Sequence, residues 1–287
     1  MNIFVAGCTG AIGRRMVPEL VRRGHEVTGM IRNPDQSELI ERIGARAVIA
    51  DVFDREAVFK AVEQARPEVV IHQLTSLSTR NFADNARIRI EGTRNLADAA
   101  LSSGVKRMLA QSISWVYEPG EGPASEAVPL DMGAPSPRKE TVAAVHALES
   151  AAAEVPEHVI LRYGMLYGPG TWYERGGYMD EVIRGGQAPS TDGVASFVHV
   201  EDAAMAAVAA LEWPSGPVNI VDDEPAKGTE WLPVFAEAIS AQSPEITQGG
   251  SGWERGASNA KARKEYGWQP LYPSWRTGFA LSMASKS

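Results

Sequence analysis

Apolar residues along this chain fall into short runs separated by stretches of helical period. Ile3, Phe4, Val5 and Ala6 form a run that ends at Gly7, the pattern of a strand buried on both faces. GCTGAIG comes next. A stretch from about Ile12 to Arg23 then carries Ile12, Met16, Leu20 and Val21 on one face and stops at Gly24, as an amphipathic helix does. Glu26–Ile31 reads as a second strand, about 34–43 as a short helix stopped by Gly44, Ala47–Ala50 as a third strand, and about 55–65 as a helix. Val69–Ile71 is a fourth strand, a long helix reaches about Ser103, and Arg107–Ala110 is a fifth strand. Such alternation predicts an α/β fold: a mainly parallel sheet with helices on both faces, doubly wound if the crossovers are right-handed.

The pattern weakens after Ser112. Residues 117–137 are rich in proline and glycine and have no clean period; long irregular segments of this kind often carry function. A helix near 139–153 and a sixth strand, His158–Arg162, follow. Residues 164–196 are again glycine-rich and hold four aromatics, Tyr167, Trp172, Tyr173 and Tyr178. Phe197–Val200 returns to strand character, Glu201–Leu211 is helical, and Val218–Val221 rejoins the sheet. The expected organisation is a sheet domain of residues 1–163 plus 194–221 and a smaller domain of 164–193 plus 222–287.

The seven residues after the first strand have the spacing Gly7-x-x-Gly10-x-x-Gly13. Between a strand and a helix, this spacing is a dinucleotide signature. The first glycine permits the tight turn, the second lets the backbone approach a pyrophosphate, and the third lets helix and strand pack closely. The helix start adds unpaired N–H groups and a favourable dipole. Thr9 either caps the helix or contacts phosphate. An acidic residue after the second strand would suit the ribose hydroxyls of NAD, but Arg32 stands there, and a guanidinium suits the extra phosphate of NADP. Asp51 closes the third strand, where it either reaches the adenine or caps the next helix.

Composition narrows the field further. The 287 residues are 44% hydrophobic, enough for a substantial core. A net charge of −8 with no basic cluster argues against nucleic acid. Cys8 is the single cysteine, so neither an intrachain disulfide nor a cysteine zinc site is expected. The five histidines are scattered and the DVFD run at Asp51–Asp54 suits strand-end and cap roles, so no metal is expected. No apolar run approaches the roughly 20 residues that span a bilayer, and the chain opens directly on a strand; a cytoplasmic protein away from membranes is the expectation.

Five segments together resemble the extended short-chain dehydrogenase/reductase family, of the NAD-dependent epimerase/dehydratase type. They are GCTGAIG, EGTRNLADAA (Glu91–Ala100), LRYGMLYGPG (Leu161–Gly170), FVHVEDAA (Phe197–Ala204) and NAKARKEYGWQP (Asn259–Pro270). The resemblance covers nearly the whole chain. It implies a Rossmann sheet with a smaller C-terminal substrate domain, a small organic carbonyl or hydroxyl substrate, and a homodimer. With Arg32 favouring NADP(H) over NAD(H), the cofactor would lie against Gly7, Thr9, Gly10, Ala11, Ile12, Gly13, Arg32, Asp51, Val52, Leu74, Thr75, Ser112 and Tyr163. Substrate would meet Ser114, Tyr117, Tyr167, Trp172 and Tyr173.

The catalytic pattern departs from that family. The residue four before Tyr117 is Ile113, flanked by Ser112 and Ser114, and Ser112 is the better candidate hydroxyl. The family's Tyr-x-x-x-Lys pair, whose spacing puts both groups on one helix face, falls on Thr141 and Val145; in another register Lys139 matches the lysine but Pro135 the tyrosine. Either way the pair is absent. The family's Asn ahead of the helix Gly-Thr corresponds to Arg89. Candidate proton donors are then Ser112, Tyr163 and His146, the last about 100° around the helix from Val145. His199 is more readily structural, and Arg138 and Arg162 are either anion holders or, for Arg162, a buried partner. The expected function is an NADP(H)-dependent oxidoreductase or epimerase-like enzyme with an atypical proton-transfer group. The alternatives are an inactive NADP(H)-binding regulatory protein and a nonredox isomerase or lyase.

Overall fold

The computed structural model describes residues 1–77 and 82–284. In chain order its elements are β1 (Asn2–Ala6), α1 (Gly13–Arg22), β2 (Glu26–Ile31), α2 (Ser37–Arg42), β3 (Arg46–Ile49), α3 (Arg55–Ala65), β4 (Val69–His72), α4 (Phe82–Arg87), a π-helical turn (Ile88–Gly92), α5 (Thr93–Ser102), β5 (Arg107–Ile113), α6 (Arg138–Ala152), β6 (Glu157–Tyr163), β7 (Met165–Tyr167), α7 (Tyr178–Arg184), β8 (Val194–Ala195), β9 (Phe197–His199), α8 (Val200–Ala209), β10 (Gly216–Ile220), β11 (Ala226–Lys227), α9 (Gly228–Ala238), α10 (Ala260–Lys264) and α11 (Trp275–Ala284). None of these helices is long and apolar enough to cross a membrane.

Seven strands make one sheet in the order β3-β2-β1-β4-β5-β6-β10. β1 runs parallel to both β2 and β4, with Phe4 opposite Thr28 on one side and Val70 on the other. The chain winds outward from β1 to β3 and then crosses to β4, so the order reverses beside β1. In open α/β sheets, ligands bind at the carboxyl ends of strands at such a reversal. The expected Rossmann sheet is therefore present. Besides shifts of a few residues at element ends, two departures from the sequence reading bear on the site: β5 runs on to Ile113, which puts Ser112 inside the strand, and the long helix is interrupted by the π-helical turn.

The chain divides into two compact units. Unit 1 comprises Met1–Ser112, Met132–Leu161 and Ala207–Pro217; unit 2 comprises Ile113–Asp131, Arg162–Ala206 and Val218–Ser287. The sheet domain expected from the sequence also takes in 113–131, 162–163, 194–206 and 218–221, which belong to unit 2. The reason is local pairing. β7 pairs with β9, and the backbone at Ala124 bridges to Ala257.

One face of the unit 1 sheet packs Phe4, Val70 and Met108 against Val58 and Val62 of α3, Leu96 and Ala100 of α5, and Leu148 of α6. Each such side chain contributes roughly 1.5–3 kcal/mol on burial. Ala97, Ala99 and Ala100 keep α5 thin enough to lie close to α3 and α6. Asp54 accepts from the Ala57 amide and caps α3, the role the sequence leaves open for Asp51. The unit 2 core is aromatic: Tyr173, Phe197, Trp231, Phe235 and Phe279 meet edge to face, the preferred arrangement of ring quadrupoles. Asp222 accepts from the Trp275 amide at the start of α11, and Asp202 accepts from the Leu271 and Tyr272 amides, tying the C-terminal segment to this core.

Candidate functional site

In unit 1 the three glycines of the turn do different work. Gly7 has φ +96°, and a Cβ there would lie 2.6 Å from the Gln73 carbonyl carbon. A Cβ on Gly13 would lie 2.2 Å from the Gly7 carbonyl oxygen. Both positions are closed by the chain's own backbone. Gly10 differs: its Cβ would meet only the Gly7 oxygen, at 3.4 Å, an ordinary contact. The protein leaves room there that its own packing does not use. Thr9 makes no side-chain cap, since α1 begins behind Ile12 without one; its carbonyl accepts from Arg14 Nε at 2.6 Å. Cys8 lies behind the turn, its thiol on the Met30 carbonyl, and burial pushes that thiol up to about 12.

Around the turn, Ala11 is half-buried and Ile12 buried, and Arg32 is exposed where β2 ends. Asp51 Oδ1 accepts from the Phe53 amide at 3.0 Å, so it shapes the turn after β3. Val52 is buried against Gly92. Leu74 is half-buried and Thr75 exposed just past β4. Ser112 donates to Glu149 Oε1 at 2.6 Å. Glu149 lies two helical turns beyond Thr141 and one beyond Val145, on the same face of α6. Thr141 is half-buried and Val145 wholly buried. His146 is on the exposed side of α6, so the 100° rotation carries it away from Ser112.

Two groups of unit 1 escape the sequence reading or are read only by analogy. His72, at the end of β4, accepts from the Leu74 amide at Nδ1 (3.2 Å), which leaves its proton on Nε2, 2.9 Å from Thr93 Oγ1. Thr93 in turn reaches the Ile88 carbonyl at 3.4 Å. Burial first, and the Arg89 charge second, hold His72 down to about 4. Arg89 is carried by the π-helical turn and is 7% exposed. Burial alone lowers it to about 10.

Unit 2 has an open pocket of about 300 Å3 whose walls include Ser114, Trp115, Met165, Tyr173, Trp231 and Trp253. That size and aromatic lining suit a small organic molecule. Of the residues expected to meet substrate, Ser114 and Tyr173 line it, and burial raises the Tyr173 phenol. Tyr117 borders it by its ring, while its hydroxyl donates to Asn219 and accepts from Arg162. Arg162 is thereby a buried structural partner. Tyr167 lies elsewhere: its ring sits in the aromatic core against His199 and Phe279, and its hydroxyl lies where a Cβ on Gly278 would be. Trp172 packs on Tyr178 at 4.9 Å, outside the cavity lining. Tyr163 is buried, and its carbonyl accepts from the Ser114 amide. His199 stacks on Tyr272 at 3.8 Å, a packing role. The cavity's rim is held by Arg255, which donates to the carbonyls of Glu118, Glu121 and Gly122.

Comparison with known proteins places this architecture. A 3-diazoavenalumate denitrifying reductase from Streptomyces sp is 41% identical, across 97% of this chain and 99% of that protein. The UDP-glucose 4-epimerase of Thermus thermophilus, solved with NAD, superposes with a TM-score of 0.74 at 26% identity over 98% of this chain and 97% of that one. The UDP-glucose 4-epimerase of Thermotoga maritima, solved with UDP-glucose, gives a TM-score of 0.76 at 23% identity over 98% and 97%; at that identity the likeness is one of fold. The model of the NAD dependent epimerase/dehydratase family matches residues 3–221. The chain belongs to the NAD dependent epimerase/dehydratase family and is an enzyme of its oxidoreductase/epimerase type.

Proposed function

We propose that this chain is an NADP(H)-dependent reductase whose substrate carries a diazo group, and that it works without a side-chain acid at the positions of the Tyr-x-x-x-Lys pair. The observation that carries the reading is the inner face of α6, where Thr141, Val145 and Glu149 follow one another. Neither a threonine hydroxyl nor a buried valine delivers a proton near neutral pH. An epimerase that passes through a ketone has to protonate and deprotonate an alcohol oxygen. A diazonium carbon makes no such demand. Hydride adds to the terminal nitrogen, the resulting diazene expels N2, and its hydrogen goes to carbon: C–N2+ plus H− becomes C–H plus N2. The end-to-end similarity to a denitrifying reductase points the same way.

The residues of unit 1 fit a dinucleotide. The hollow at Gly10 admits a pyrophosphate, the start of α1 supplies amides, and Arg32 is exposed for the 2′-phosphate that distinguishes NADP. When bound, that cofactor supplies the hydride. Ser112, held by Glu149, positions rather than protonates. In unit 2, the Trp and Tyr faces of the cavity hold a flat conjugated substrate and exclude water.

The test is turnover of 3-diazoavenalumate by the purified protein, with NADPH oxidation and N2 release followed together. Equal amounts of NADPH consumed and N2 released are expected, with UDP-glucose unchanged under the same conditions. Epimerisation of UDP-glucose with no consumption of the diazo compound would overturn the reading.

A further inference from the structure

Arg89 is the anomaly of unit 1. The residue is 7% exposed, and no hydrogen bond or carboxylate partners it among the described residues; its Nε is sealed from solvent with no acceptor. A buried cation without a counter-charge is costly, and arginine cannot escape by giving up its proton. Its neighbour gives no relief. His72 is kept neutral by the Leu74 amide on one nitrogen and Thr93 on the other, so it neither repels Arg89 strongly nor pairs with it.

The backbone holds the charge in place. Arg89 sits in the π-helical turn Ile88–Gly92, and single π turns inside helices recur at functional sites because they displace a residue from the regular helical face. α6 packs against this turn. Its charge acts on His72 at the carboxyl end of β4. Gln73, next to His72, donates its amide to the Ala6 carbonyl, and it is the Gln73 backbone that closes over Gly7. The unpaired charge is therefore felt at the carboxyl end of β4, at His72, whose partner across the sheet is Ala6, the last residue before the glycine turn.

We propose that Arg89 is a preformed receptor for an oxyanion brought by a ligand, either a phosphate of the dinucleotide or a carboxylate of the substrate. The free protein carries the cost of burying the charge, and the ligand relieves it. This rests on the reading that the glycine turn holds a dinucleotide, and the experiment separates the two. A structural arginine would be paired; this one is presented unpaired, and a guanidinium fork matches phosphate and carboxylate equally well.

The experiment compares the unchanged protein with Arg89→Met, which keeps the stem, and Arg89→Lys, which keeps the charge. Three quantities are read: the melting temperature without ligand, the affinity for NADPH by nicotinamide fluorescence, and the affinity for 3-diazoavenalumate against its methyl ester by calorimetry. Arg89→Met is expected to melt no lower than the unchanged protein and to lose about 10- to 100-fold in affinity for one of the anions, the range of a charge-assisted hydrogen bond. Arg89→Lys should recover part of the loss. Loss confined to NADPH identifies the phosphate as the source. Loss confined to the carboxylate, with the methyl ester unaffected, identifies the substrate. A lower melting temperature for Arg89→Met with both affinities within about twofold would overturn the proposal and make Arg89 structural. If the unchanged protein fails to bind NADPH, the dinucleotide reading fails by itself, and Arg89 is decided by the carboxylate arm.

Discussion

Unit 1 and unit 2 build their candidate binding places from different parts of the chain. The hollow of unit 1 is made by backbone: three glycines, the end of β4 and the start of α1. The cavity of unit 2 is made by side chains, chiefly Trp115, Tyr173, Trp231 and Trp253, contributed by segments far apart in sequence. A backbone hollow fails when an atom is added to it, whereas an aromatic cavity fails when atoms are taken away. The two units also carry opposite buried titrations. His72 in unit 1 is held down to about 4. Asp222 in unit 2 is pushed up to about 8, by burial first and by the nearby Glu224 and Asp223 charges as a lesser contribution.

The largest effect expected from this contrast is on folding. Gly13→Ala puts a Cβ 2.2 Å from the Gly7 carbonyl oxygen, which only backbone movement relieves, so the loss should reach or exceed the usual overpacking range of about 1–3 kcal/mol. Urea melts of the purified variant measure it; a midpoint equal to that of the unchanged protein would mean the turn is looser than described. Next come the titrations. A depressed histidine stabilises the folded state above its ordinary value near 6.5 and loses that contribution as pH falls toward 4. His72 should therefore cost unit 1 about 2 kcal/mol between about pH 7 and 5, and His72→Gln should remove that slope. A raised carboxyl has the opposite sign. Asp222 contributes most below its ordinary value near 4, and the contribution is lost as pH rises through about 8. Asp222→Asn should remove a fall in stability that runs from about pH 4 to about 8. The two windows overlap but their slopes have opposite signs, so if both variants change the slope in the same direction the assignment of opposite titrations is wrong.

Smaller effects belong to binding. Trp253→Ala removes one wall of the cavity from a half-buried position and should raise KM for the diazo substrate about 10-fold while leaving the melting temperature within a few degrees. A KM unchanged with kcat reduced would place the substrate elsewhere. Arg32→Ala should weaken NADPH about 10-fold and NADH little, the difference expected of one charge-assisted phosphate contact. Parallel losses for the two cofactors would remove Arg32 from the phosphate site.

Much of unit 1 is readable from sequence because its determinants are local. Strand runs, helical periods and the glycine spacing each lie within a short stretch of chain, and they give the sheet and the turn. Arg89 is not readable in that way: nothing in IRIEG, Ile88–Gly92, signals a π-helical turn or the burial of its charge, which depends on how α6 packs against the turn. Glu149 is within reach of the sequence, being in the i+4 series with Thr141 and Val145. Unit 2 is the less legible half. The spacing Trp231, Leu232, Phe235, Ala236 and Ile239 is an amphipathic helix signal, and α9 follows it. The cavity walls, by contrast, come together only through tertiary contacts of 113–131, 164–196 and 228–256. Tyr167 shows the limit of motif reading: it belongs to the well-matched YGPG segment, yet the glycine at 278 draws its ring into the aromatic core rather than to the cavity.

Gly10 offers the sharpest measurement, because the chain itself does not require glycine there while a dinucleotide against the backbone does. Gly10→Ala should melt at the temperature of the unchanged protein and lose at least about tenfold in NADPH affinity, read from nicotinamide fluorescence on titration. A variant that binds NADPH as tightly as the unchanged protein would contradict the assignment of the turn as the dinucleotide site.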